Sequence, residues 1–130
     1  MAINSGTIVL DGIVPVSKPR QTLADKWRKR PCVLRYRAYA DELRARLGGW
    51  NVPASSWHLR FYMPMPKSWS KKKKAAMNEQ PHQQKPDKDN LEKAFLDALC
   101  EDDSYVWDVR VSKYWSDRPR IEIEAKEGEA

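Results

Sequence analysis

Asp87, Asp89, Asp97, Asp102 and Asp103 fall within nineteen residues of an otherwise basic chain, and Lys93 stands among them. Like charges this close repel one another. At an effective dielectric near 20, a carboxylate pair about 4 Å apart costs about 4 kcal/mol. A divalent cation removes that cost, and all-carboxylate ligation selects hard ions such as Mg2+ or Mn2+. A cation held by aspartates beside a lysine suits phosphodiester hydrolysis. Helix capping is a competing account. Asp89 stands where an N-cap would, Glu92 follows three residues later as in a capping box, and Asp89–Lys93 is an i,i+4 pair. Capping covers Asp89, Glu92 and Lys93 but leaves Asp87 and the Asp102–Asp103 pair unexplained.

The element that must carry these residues is a helix over Asn90–Leu99. With Leu91 at zero on a wheel of about 100° per residue, Ala94, Phe95, Ala98 and Leu99 fall within about 80° of it. Asp89, Lys93 and Asp97 share a ridge on the other side, so one face enters the core and the other presents acid, base, acid. Upstream, Thr7–Val14 is rich in β-branched residues and reads as a strand, and Pro15–Arg20 breaks it. Tyr36, Tyr39, Ala40, Leu43 and Leu47 recur at helical spacing over Leu34–Leu47, with Gly48–Gly49 as the stop. Trp57, Leu59, Phe61 and Met63 alternate with polar residues as in a strand. A short helix through Lys71–Met77 is capped by Ser68 or Ser70, and a polar connector runs from Asn78 to Gln84. Val106–Trp115 and Arg120–Ala125 alternate and are expected to pair as a hairpin across Ser116–Pro119, with a frayed tail from Glu127. This order predicts one α+β domain over residues 1–130, with two main helices and a mixed sheet of about four to five strands.

The chain-wide charge is +6, but its distribution says more. Residues 17–47 carry ten basic against three acidic residues, and residues 67–84 carry five lysines against Glu79. Residues 85–130 reverse the balance, with eight basic and thirteen acidic residues. A basic front half with acids behind it suits a protein that holds a polyanion and works on it with a metal. Expected phosphate contacts are Lys18, Arg20, Arg28, Lys29, Arg30, Arg35, Arg37 and Lys71, Lys72, Lys73 and Lys74. Trp69 either stacks on an unpaired base or anchors its short helix on the core, and His82 is expected in an exposed loop or near a phosphate or metal. Two cysteines without ligand spacing, no basic leader and no apolar run of about 20 residues point to a cytoplasmic protein with no membrane segment.

Other metal sites fail on inspection. An EF-hand loop from Asp87 would need an oxygen ligand at Leu91, glycine at Glu92 and glutamate at Ala98. His58, His82, Cys32 and Cys100 have no zinc-ligand pairing. The restriction-endonuclease pattern begins well at Pro86–Asp87, but its acid-x-lysine is missing because Glu92 abuts Lys93.

Lys85-Pro86-Asp87-Lys88-Asp89-Asn90-Leu91-Glu92-Lys93-Ala94-Phe95-Leu96-Asp97-Ala98-Leu99, followed by Asp102-Asp103-Ser104, resembles the signature of the RusA family of Holliday junction resolvases. The likeness extends to Phe61–Lys73 and Pro81-His82, and more loosely to Lys113-Tyr114-Trp115 and Lys18-Pro19-Arg20. The resemblance implies a Mg2+-dependent endodeoxyribonuclease, with Mn2+ as a substitute and no organic cofactor, acting on four-way DNA junctions as a homodimer in a bacterial or phage setting. It implies that Asp87, Asp89 and Asp103 bind metal, that Lys93 is the essential lysine, and that Asp97 is supporting. The glycine-containing turn of the bacterial archetype is absent here, so Asp102 stays open beside Asp103 as the third ligand. A catalytically silent DNA-binding protein with the same fold is the competing class, and the intact Asp87, Asp89, Lys93 and Asp103 argue against it.

Overall fold

The computed structural model describes residues 6–19 and 30–125. Its elements are β1 (Thr7–Asp11), α1 (Pro31–Arg46), β2 (Ser55–Pro64), α2 (Lys71–Met77), α3 (Lys88–Leu99), β3 (Asp108–Ser116) and β4 (Arg120–Ala125). The four strands form one mixed sheet in the order β1-β4-β2-β3, which bears out the α+β expectation. Pro31 occupies the first turn of α1, where its missing N–H costs nothing, and Gly49 at φ 85 follows the end of that helix. Ser70 caps α2 by accepting from the Lys73 N–H at 3.1 Å.

The expected hairpin between the last two strands does not form. β2 lies between them, parallel to β3 and antiparallel to β4. Pro64 pairs with Ser116 and Tyr62 with Arg120, so residues 117–119 pass over the end of β2. Strands two places apart are about 10 Å apart, which three linking residues can span. β2, the longest strand, shares the interior of the sheet with β4. Trp57, Leu59, Phe61 and Met63 all point into the core. Phe95 of α3 meets them there, with ring centroids 6.3 Å from both Trp57 and Phe61 and 6.4 Å from Trp50. Burying one such ring contributes about 1.5–3 kcal/mol.

The other face of β2 is polar and paired with its neighbours. Arg60 bridges to Glu122 at 3.2 Å and Glu124 at 2.7 Å, and His58 meets Ser112 Oγ at 2.8 Å. Arg120 is buried over the Tyr62 ring and bonds Glu122 at 2.7 Å. The connector expected as a polar loop in fact runs along the outer edge of β3. Glu79 N–H donates to Trp115 O at 2.7 Å, Trp115 N–H to Gln80 O at 2.9 Å, and His82 N–H to Lys113 O at 3.0 Å. That edge is thereby covered where it would otherwise expose unpaired backbone groups.

Candidate active site

α3 starts at Lys88, two residues before the expected start, and its N-cap is Asp87 rather than Asp89. The capping-box reading is therefore corrected. Pro86 cannot donate a backbone hydrogen bond, and extended Asp87 begins the helix by accepting from Asn90 N–H at 3.1 Å and Leu91 N–H at 3.2 Å through its backbone carbonyl. An N-cap aspartate ordinarily turns its side chain onto these amides. Asp87 makes no such side-chain bond and is exposed, so helix capping does not explain its carboxylate.

Asp89 lies in the first turn, where the helix dipole favours an anion. Its side chain is 85% exposed, 3.5 Å from the Lys88 ammonium. One turn on, Glu92 is half-buried. Burial and then Asp89 push its carboxyl above the usual range; Lys88 pulls the other way, and Asp103 adds a weaker push. Sequence reasoning missed Glu92 as a site residue because the capping box seemed to employ it. Its flanking position on the wheel, 100° from Leu91, was the available sign.

Asp102 and Asp103 follow in the turn after α3. The Asp102 carboxylate accepts from Ser104 N–H at 2.9 Å, and that bond holds it below the ordinary aspartate value. Asp103 is half-buried, and its carbonyl closes the turn by accepting from Val106 N–H at 3.0 Å. Asp97 has a different setting. Its side chain is only 20% exposed and holds Lys18 at 2.5 Å and Lys93 at 3.5 Å. Tyr36, whose hydroxyl donates to Ala94 O at 3.3 Å, sits beside this group; burial and then Asp97 raise its pKa.

Three groupings thus emerge on and around α3. Asp89, Glu92 and Asp103 share one electrostatic neighbourhood, Asp97 gathers Lys18 and Lys93, and Asp87 lies near Lys113. Among the described residues, no three His, Cys, Asp or Glu side chains converge on one cation position. The donor chemistry nevertheless fits a hard divalent ion. These are oxygen donors, and beside burial the charge of Asp89 adds to what disfavours the charged form of Glu92, which a cation would offset.

The expected DNA contacts divide by location. Arg35 and Arg37 are exposed on α1, Arg30 is half-exposed at its N-cap, and Lys71 and Lys72 are exposed on α2. Lys73 is exposed but lies over the Trp69 ring at 4.4 Å, and Lys74 is half-exposed. Lys18 is engaged by Asp97, while Arg20, Arg28 and Lys29 lie outside the described residues. Trp69 packs on Trp115 at 4.8 Å, as an anchor would. His82 does not belong to an exposed loop. It is buried with its ring 4.1 Å from Trp115, because the connector lies against β3.

The sequence missed Lys113 as well. Its ammonium donates to Gln84 O and, at 2.6 Å, to Pro86 O, and so touches the backbone that leads into Asp87. Burial pushes this ammonium below its ordinary value, with Asp87 pulling the other way. The sign was a lysine at the same parity as Trp107, Val109, Val111 and Trp115.

Comparison with known proteins bears on the same region. Residues 13–126 match the family model described as Endodeoxyribonuclease RusA. The uncharacterized protein YqaN of Bacillus subtilis (strain 168) is 42% identical over 80 residues, which is 55% of this chain and 56% of that protein. The chain thus spans little more than half the length of this curated relative. No solved structure matches. The matched span begins just after β1, takes in all of α1 to β4 and encloses every acid described above on and around α3, and the chain belongs to the RusA endodeoxyribonuclease family.

Proposed function

We propose that this protein is a divalent-metal-dependent endodeoxyribonuclease that resolves four-way DNA junctions. The observation that carries this reading is the acid-lysine face of α3 in a chain of this family. Asp87 and Asp89 open the helix with carboxylates that no cap consumes, and Lys93 follows one turn later. Asp87, Asp89 and Asp103 would hold Mg2+. Asp103 is favoured over Asp102 because Asp102 is committed to its turn, whereas the charge of Asp103 reaches Glu92. When bound, the ion supplies an activated water and neutralises charge on the scissile phosphate.

The chain's own groups do the rest. Lys93, with 62% of its side chain exposed, offers positive charge at the phosphate. Asp97 orients it through their 3.5 Å contact and holds Lys18 alongside. Exposed arginines on α1 and lysines on α2 contact the DNA backbone without reading sequence. Two symmetric cuts across one junction call for a C2 homodimer. Sedimentation of the protein on a junction counts protomers, and one copy per junction would remove the dimer.

The decisive assay compares a mobile four-way junction with linear duplex, in Mg2+ and in EDTA. Cleavage is expected on the junction alone and in Mg2+ alone. The D89N variant is expected to bind the junction as well as wild type, or better, and to leave it uncut. Wild-type cleavage by D89N would overturn the assignment.

A further inference from the structure

Along β3 the residues in register with core-facing Trp57, Leu59, Phe61 and Met63 are Val109, Val111, Lys113 and Trp115, and only Lys113 among them is charged. We propose that Lys113 is the positioning residue of the site: it fixes the backbone that presents Asp87 and so sets the affinity for the divalent cation. This inference rests on the metal-dependent reading above.

Lys113 grips the incoming loop at three alternate residues. Its carbonyl accepts from His82 N–H at 3.0 Å, and its ammonium donates to Gln84 O and to Pro86 O at 2.6 Å. Residues 82, 84 and 86 are therefore tied to one side chain and its own backbone, and Asp87 comes next. The far end of the grip is clamped too, since the buried His82 ring lies against Trp115. The near end continues into α3, because the Asp87 carbonyl accepts from Asn90 and Leu91. Displacing the loop would move Asp87 and the helix start that bears Asp89 together.

The geometry separates this lysine from Lys93. An ammonium has three donors, and Lys113 commits two of them to backbone carbonyls at a half-buried position. Charge-assisted bonds of this kind are roughly twice as strong as neutral ones. A lysine meant for phosphate keeps its donors outward, as exposed Lys93 does. Lys113 works inward, holding the acids as an outer partner holds a metal ligand.

The test uses K113M, which keeps the aliphatic stem and removes the donors, alongside K113R. For K113M, the Mg2+ concentration giving half-maximal junction cleavage should rise about 10–100-fold, the usual cost of losing an outer-shell partner. Junction binding in EDTA should stay unchanged, and K113R should recover most of the loss. Amide hydrogen exchange at residues 87–91 should quicken in K113M whatever its cleavage.

Wild-type Mg2+ dependence in K113M would overturn the proposal. So would loss of junction binding in EDTA with Mg2+ dependence intact, which would mark Lys113 as a phosphate contact. If K113M does not fold, K113R and K113Q decide: the midpoints should rise from wild type through K113R to K113Q, and equal midpoints overturn the proposal. If wild type itself fails to cut in Mg2+, the nuclease reading falls. Hydrogen exchange still judges the grip, which fails if protection of residues 87–91 is unchanged.

Discussion

Asp102 and Asp103 are adjacent in sequence and differ in what occupies their carboxylates. Asp102 closes an Asx-type turn onto Ser104, while Asp103 sits half-buried and acts on Glu92. D103N is therefore expected to lose cleavage by about 10²-fold or more, as loss of a charge-stabilising group typically costs. D102N should retain most activity and lower the melting temperature slightly, because an amide still accepts from Ser104. Cleavage rates of the two variants beside their melting curves check this, and the reverse ranking would reassign the ligand. At this scale the helical wheel already separated Leu91 and Phe95 from Asp89 and Lys93, because helix periodicity is a local property. Glu92 and Lys113 were not legible as site residues. The setting of Glu92 depends first on tertiary burial, then on Asp89, and least on Asp103 eleven residues away, and that of Lys113 on a loop 27 residues back.

Among the elements, β2 has the largest structural role. Sequence patterning located all four strands and the helices, with α3 two residues short at its start, since alternation and helical spacing are set within a few residues. It did not disclose that β2 lies between β3 and β4, because adjacency is decided by which strand can be buried on both edges. That central position creates the Arg60–Glu122–Arg120 cluster on the polar face of the sheet. Burial alone would push the Glu122 carboxyl up, but hydrogen bonds and charge from Arg120, then Arg60, outweigh it and hold it below the usual glutamate range. A depressed acid contributes stability that is fully present above its unfolded value of about 4.3 and is lost as pH falls through the lower folded value. The melting temperature should therefore drop on acidification below about pH 4. E122Q should cost about 1–3 kcal/mol at pH 7 by depriving buried Arg120 of its strongest partner, and should flatten that acid dependence. An E122Q melting profile parallel to wild type would refute this account.

For the whole molecule, charge placement decides which cations the proposed DNA surface can use. Arg35 and Arg37 on α1 and Lys71 and Lys72 on α2 are exposed, whereas half-buried Lys18 and Lys113 are engaged by groups of the protein itself. Net charge by segment pointed to a polyanion partner but could not tell outward cations from these engaged ones. Junction affinity in EDTA should fall steeply with salt, and a joint R35A/R37A variant should reduce the slope of log K against log salt by about 2. Fluorescence anisotropy across a salt series measures this, and a flat wild-type response would remove the proposed surface.

The parallel pairing of β2 with β3 has a consequence for how the fold comes into being. α2, the connector and α3 are all contained in the single crossover between those two strands. Every acid of the site is therefore synthesised before the strand that pins it. β4, which fills the gap between β1 and β2, follows later still. Such long-range pairing is slow to form, since loop closure must precede its contacts. A growing chain thus carries the carboxylates of α3 without the contacts of Lys113 and β4 until those residues have emerged. On the proposed reading, cleavage is therefore expected only once the sheet is complete.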